Sequence, residues 1–177
     1  MIGNVYGEAL YDLAKAESLA QSILEELSAL NDSFQQEPEF LRLLSSPTLS
    51  KQERCQILDN SFRGKVHPYI LNFLKILTEK GYARHFCHCV STFREHYNQD
   101  NGILPVTAVT AVSLSADQTD RLTKKLATLT GKTIELTNRV DPGVLGGIRL
   151  DYSGKRLDDT VSHRLQSIRD LLKNTVL

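Results

Sequence analysis

The 177-residue sequence predicts an α+β protein, with a six-helix bundle over residues 1–102 followed by a small β-α-β-β-α domain over 103–177. Three observations carry that expectation. Up to Gln99 the apolar residues recur every three or four positions, the spacing of helices that bury one face. From Ile103 they alternate instead, and β-branched residues crowd in, as on a pleated strand. Between the periodic stretches stand the Pro, Gly and Ser-x-x-Glu/Gln signals that start and stop helices.

The first helix is expected over Val5–Ala16. Val5, Tyr6, Ala9, Leu10, Leu13, Ala14 and Ala16 fill more than half of its circumference, and Glu8, Asp12 and Lys15 form a narrow polar strip. Leu19–Phe34 is more ordinary. Its apolar residues (Ile23, Leu24, Leu27, Leu30 and Phe34 among them) fall within roughly 140°, so one neighbour suffices. Glu37-Pro38-Glu39 opens a short helix carrying Phe40, Leu41, Leu43 and Leu44, which Ser45-Ser46-Pro47 stops. Ser50-Lys-Gln-Glu53 is a capping box, in which hydroxyl and carboxylate each satisfy an orphan backbone N–H. The helix it opens places Cys55, Leu58 and Phe62 on one side and ends at Arg63-Gly64-Lys65.

His67-Pro68 begins the fifth helix, since Pro at the first position lacks an N–H that would be unpaired anyway. From Tyr69 to Leu77 only Asn72 and Lys75 are polar, so the apolar arc covers roughly 220°, against the 100° or somewhat more that a surface helix needs. Lys80-Gly81 closes it. Ala83–Gln99 then sets Phe86, Cys89, Val90, Phe93 and Tyr97 on one narrow stripe, and Asp100-Asn101-Gly102 stops it. The first and fifth helices therefore carry more apolar surface than one interface hides. Each is either central in its own bundle or offers a flank to a partner.

In the second domain, Ile103–Val112 reads as a strand with Pro105 near its start, where a ladder tolerates it. Ser115-Ala-Asp-Gln118 caps a helix that runs to about Leu129 and stops at Gly131. Thr133–Val140 alternates as a strand, Asp141-Pro142-Gly143 is turn chemistry, and Ile148–Tyr152 alternates again. Ser153-Gly154-Lys155 is expected to turn the chain, with a last helix beginning at Asp158 or Asp159. Along that helix Val161, Leu165, Ile168 and Leu172 recur at steps of four and three.

Composition narrows the function. Lys plus Arg equals Asp plus Glu at 21 each, so no net field draws nucleic acid or anionic lipid. The three cysteines, Cys55, Cys87 and Cys89, have no framework spacing and fit reduced thiols. No apolar run approaches the roughly 20 residues of a membrane span, and no secretory signal opens the sequence. Gly131-Lys132-Thr133 resembles the end of a phosphate loop, but position 126 is Leu where the loop needs Gly, and a strand follows it. His85 and Cys89 share a helical face, yet a structural zinc site wants four convergent ligands. No catalytic residues, cofactor or metal site are expected.

Tyr6-Gly-Glu-Ala-Leu-Tyr-Asp-Leu-Ala14 resembles the first-helix pattern of the delta subunit of F-type ATP synthases, the oligomycin-sensitivity conferral protein of mitochondria. Gly147-Ile-Arg-Leu-Asp151, Gly154-Lys-Arg-Leu-Asp158 and Thr160-Val-Ser-His-Arg-Leu165 are similar to that family's C-terminal signature. Gly7 stands where the family usually has Ala, weakening the helix by up to ~1 kcal/mol. Asp159 stands where it commonly has Gly.

The resemblance implies a non-catalytic stator subunit, present in a single copy on the cytoplasmic face of the cell membrane and not inserted in it. It would join the catalytic head to the peripheral stalk against rotor torque. It implies that the bundle receives the helical N-terminal segment of an alpha subunit. A groove between the first and fifth helices is the expected seat, with Tyr6, Ala9, Leu10, Leu13, Ile70, Phe73, Leu74 and Leu77 as contacts. The b-subunit stalk is expected at Ile148, Leu165, Ile168 and Leu172. The competing role is a nucleic-acid-binding module built on the C-terminal domain, with no nucleic acid expected under the stator role.

Overall fold

The computed structural model describes residues 2–46, 48–144 and 146–160. The chain divides into two compact units between Tyr97 and Asn98, about a turn of helix before the expected 102/103 boundary. In the first lie α1 (Ile2–Ala16), α2 (Ala20–Gln36), α3 (Pro38–Leu44), α4 (Lys51–Phe62) and α5 (Pro68–Glu79). A 3-10 turn at Ala83–His85 leads into α6 (Phe86–Asp100), which runs past the division. α1 begins three residues before the expected Val5, taking Gly3 and Asn4 into the helix.

Helix boundaries follow local chemistry. At Ser50 the hydroxyl accepts from Glu53 N–H at 3.2 Å, and the Glu53 carboxylate accepts from Ser50 N–H at 2.8 Å. Pro38 and Pro68 sit in the first turns of α3 and α5, where a missing N–H costs nothing. His67 caps α5 with its ring, Nδ1 accepting from Tyr69 N–H at 3.3 Å, while the His67 backbone N–H donates to Glu26 Oε2 at 2.7 Å.

One apolar core fills this unit, with Ala14, Ile23, Leu27, Leu44, Leu58, Ile70, Leu77, Phe86 and Phe93 wholly enclosed. Phe34 is its aromatic hub. Its ring lies 5.5 Å from Phe40, 6.0 Å from Phe62 and 5.0 Å from Phe86, so α2 is knitted to α3, α4 and α6 at once. Asp59 of α4 pairs with Lys75 of α5 at 2.8 Å, and the Lys75 hydrogen bond holds its carboxyl below the usual range. The pair supports the fold above the ordinary carboxylate pKa, and its support is lost as pH falls through the lowered value.

Thr78 is fully buried and its hydroxyl has no hydrogen-bond partner among the described residues. Thr78→Val, equal in shape and without the orphan hydroxyl, is expected to raise the stability of this unit by about 1 kcal/mol. A denaturant midpoint that moves down would contradict it.

The second unit holds β1 (Ile103–Thr110), α7 (Ala116–Thr130), β2 (Thr133–Val140), β3 (Ile148–Tyr152) and β4 (Lys155–Asp158). The sheet order is β2-β1-β3-β4. β1 runs parallel to β2 across the α7 crossover and antiparallel to β3, which pairs antiparallel with β4. Val106, Ala108, Ile134 and Leu150 form the core of one sheet face, and Leu122 and Leu126 of α7 pack on it. Ser115 and Gln118 complete a second capping box at the start of α7.

β4 corrects the expected plan. Lys155 pairs with Tyr152 and Asp158 with Arg149, so Lys155-Arg-Leu-Asp158 is a strand and Asp158 ends it instead of opening a helix. The turn is only Ser153-Gly154, both at positive φ (45° and 73°), which suits a two-residue hairpin. Asp159 and Thr160 follow without helical structure. The remainder of the expected last helix lies outside the described residues.

Candidate docking surface

The wide apolar arc of α1 splits into two flanks. Gly3, Gly7, Leu10, Tyr11 and Ala14 are buried. Opposite them Val5, Ala9 and Leu13 recur at every fourth position, one above the other, and all face solvent. Val5 is 63% exposed and Leu13 42%. Tyr6, half-buried, borders this stripe, and its ring meets Tyr82 at 6.0 Å. Tyr82 is itself anchored on α5, its N–H donating to Leu77 O at 2.7 Å.

What selects the buried flank is α6. Gly3 lies under the His88 ring, Gly7 against the Cys89 carbonyl and Thr92, and Tyr11 against Phe93 at 5.3 Å and His96 at 5.7 Å. With no side chains at positions 3 and 7 the two backbones approach closely, so the glycine flank goes inward and the Val5–Ala9–Leu13 flank is left outside.

Of the residues expected at the alpha-subunit groove, Tyr6, Ala9 and Leu13 are at least partly open to solvent. Leu10, Ile70, Phe73, Leu74 and Leu77 belong to the core, between 0 and 6% exposed. α5 spends its arc inward: Leu71 and Thr78 join the buried set, and Ile76 at 46% is its main apolar side chain in water. Residues absent from the expected set, Val5, Ile76 and Tyr82, are better placed to meet a partner. The signal for Val5 was present in the sequence, because glycines one turn apart mark the flank that another backbone approaches.

In the second unit, Ile148 is half-buried at the start of β3 and packs against the sheet core. Leu165, Ile168 and Leu172 lie outside the described residues. The Gly147–Asp151 and Gly154–Asp158 stretches of the signature meet in the β3–β4 hairpin. Arg156 Nε donates to Asp151 Oδ1 at 2.9 Å, with Arg149 at 3.4 Å from the other oxygen. The Arg156 hydrogen bond keeps the Asp151 carboxyl below its usual range. Asp159 N–H donates to Ile148 O at 3.1 Å, and Thr160 N–H to Asp158 Oδ1 at 3.0 Å.

His85 lies in the 3-10 turn before α6, so it does not share a continuous helical face with Cys89. Cys89 is buried, and burial pushes its thiol up to about 11. Among the described residues no group of three or more His, Cys, Asp or Glu is placed to hold a metal. No helix among them is long and apolar enough to cross a membrane.

A family model described as the ATP synthase delta (OSCP) subunit matches residues 2–172. The sequence is 33% identical over 172 residues to the ATP synthase subunit delta of Lactobacillus gasseri, covering 97% of this chain and 94% of that one. It is 29% identical over 177 residues to the ATP synthase subunit delta of Alkaliphilus oremlandii, covering 100% of this chain and 98% of that one. A chain in the structure of the Toxoplasma gondii mitochondrial ATP synthase hexamer superposes with a TM-score of 0.79 at 19% identity, covering 97% of both chains. At that identity the likeness concerns the fold.

Proposed function

Since this chain belongs to the ATP synthase delta (OSCP) subunit family, it is a peripheral-stalk component of the F-type enzyme, and we propose that it links catalytic head to stalk without catalysing a reaction itself. The first unit works as a six-helix bundle that receives the helical N-terminal segment of an alpha subunit. The second unit meets the end of the b-subunit stalk. A single copy, held peripherally at the cytoplasmic face of the membrane through its partners, resists rotor torque so that rotation is converted into ATP.

The observation that supports this most is the outward stripe on α1. Val5, Ala9 and Leu13 stand at the spacing of a helix that receives another helix along its length. Each large apolar side chain that becomes covered contributes about 1.5–3 kcal/mol, before the cost of ordering the incoming segment. The role asks only for affinity and stiffness. Tyr6, Tyr82 and the fully packed core behind them supply a firm seat rather than a reactive one.

The test is calorimetric titration of the full chain with a peptide of the cognate alpha subunit's N-terminal helix. One-to-one binding with a negative heat-capacity change is expected, the mark of apolar burial. A chain that ignores this peptide yet co-purifies with the enzyme through other subunits would rule out the alpha-subunit seat.

A further inference from the structure

We propose that Gly7 is a positioning residue for the docking surface, seating α1 so close to α6 that the outward stripe and Tyr82 present one continuous seat. This rests on the docking role proposed above. The contacts advance in step: Gly3 with His88, Gly7 with Thr92, Tyr11 with His96. Both sets of positions rise by four, so α1 and α6 run parallel at a constant offset.

The two glycines are not equivalent. The nearest atoms to a Cβ at Gly3 all belong to the His88 side chain, which can swing, although its Nε2 now bonds Asn4 Oδ1 at 2.7 Å. A Cβ at Gly7 would stand 2.5 Å from the Cys89 carbonyl oxygen and 2.8 Å from Thr92 Cβ. The first of these is main chain, and it cannot turn aside. Relieving the overlap requires α1 to move outward by about 1 Å, back to ordinary contact distance.

That movement reaches the docking surface through a specific joint. Tyr6 is one residue from Gly7, and its ring meets Tyr82 at 6.0 Å, where α1 adjoins the turn that closes α5. Lifting α1 opens this joint beneath an incoming helix. Gly7 thus trades intrinsic helix propensity for the height at which α1 sits.

The experiment compares Gly7→Ala with the unaltered full chain, titrated with the alpha-subunit N-terminal peptide at a temperature where circular dichroism shows both folded. Affinity is expected to fall about tenfold, as a repacking cost of this kind implies. Leu58→Ala is the control for stability alone, because Leu58 is fully buried in α4; it should lower the Tm and leave affinity unchanged. Adding Thr92→Ala to Gly7→Ala should not restore binding, since the Cys89 carbonyl and a Cβ at position 92 both remain. Unchanged affinity in Gly7→Ala, an equal loss in Leu58→Ala, or rescue by Thr92→Ala would each overturn the proposal. If the unaltered chain binds no peptide, the docking role itself fails. Hydrogen exchange then decides the seating: faster exchange over residues 2–16 in Gly7→Ala supports it, and unchanged rates overturn it.

Discussion

Leu13→Asp is expected to weaken binding of the alpha-subunit N-terminal helix at least a hundredfold while leaving the fold intact. Leu13 is 42% exposed on α1, so the unbound chain gives up little packing. Asp near the C-terminal end of a helix costs a few tenths of a kcal/mol against the macrodipole. In the complex the substitution forfeits about 1 kcal/mol of apolar burial, because only the exposed part of Leu13 is left for a partner to cover, and it strands a carboxylate where water is excluded, which costs more. A hundredfold corresponds to about 2.7 kcal/mol, which the two effects reach together. The informative comparison is Leu10→Asp. Leu10 is 5% exposed in the same helix, so a charge there should break the core and lower the Tm steeply, and its loss of binding would identify no surface. If Leu13→Asp keeps the wild-type spectrum and wild-type affinity, the α1 stripe is not where the partner lies.

The pair Leu13 and Leu10 also shows what the sequence could and could not convey. That α1 and α5 carry surplus apolar surface is legible from the spacing alone, because periodicity reports how wide an arc is. It does not report which part of the arc a neighbour takes. In α1 that choice falls to Gly3 and Gly7, residues that weigh nothing on a hydrophobic wheel and yet decide where α6 lies. In α5 the flank toward α4 is marked by Asp59 reaching Lys75 across the two helices, a contact between positions that no local pattern connects. The capping boxes at Ser50 and Ser115 are the opposite case: donor, acceptor and spacing lie within four residues, and both form. β4 was hidden for a related reason. Lys155-Arg-Leu-Asp158 holds a single apolar residue, and it is a strand because β3 offers it a ladder. Asp158, which reads as a helix start by charge, there serves to fold Thr160 N–H back at 3.0 Å.

Gly147→Ala is expected to cost the second unit roughly 2–5 kcal/mol, from a strained φ together with overpacking against main chain. Gly147 sits at φ +84° just before β3, and a Cβ there would stand 2.5 Å from the Asp159 carbonyl oxygen and 3.0 Å from Thr160 Cα. The approach is this close because the chain leaving β4 lies directly on the chain entering β3, clasped by Asp159 N–H donating to Ile148 O at 3.1 Å. Position 159 contributes main-chain groups to that clasp, its N–H to Ile148 and its carbonyl oxygen against Gly147. Gly154 provides the matched control. Its φ is +73°, almost the same strain, but a Cβ there meets nothing within 4 Å, so Gly154→Ala should cost only about 1 kcal/mol. A domain of this size has only a few kcal/mol of net stability. Gly147→Ala should therefore expose the β1, β2 and β3 amides to rapid hydrogen exchange, while those of α2 and α5 stay protected. Equal effects from Gly147→Ala and Gly154→Ala would show that backbone conformation alone matters and that the clasp on Asp159 contributes nothing.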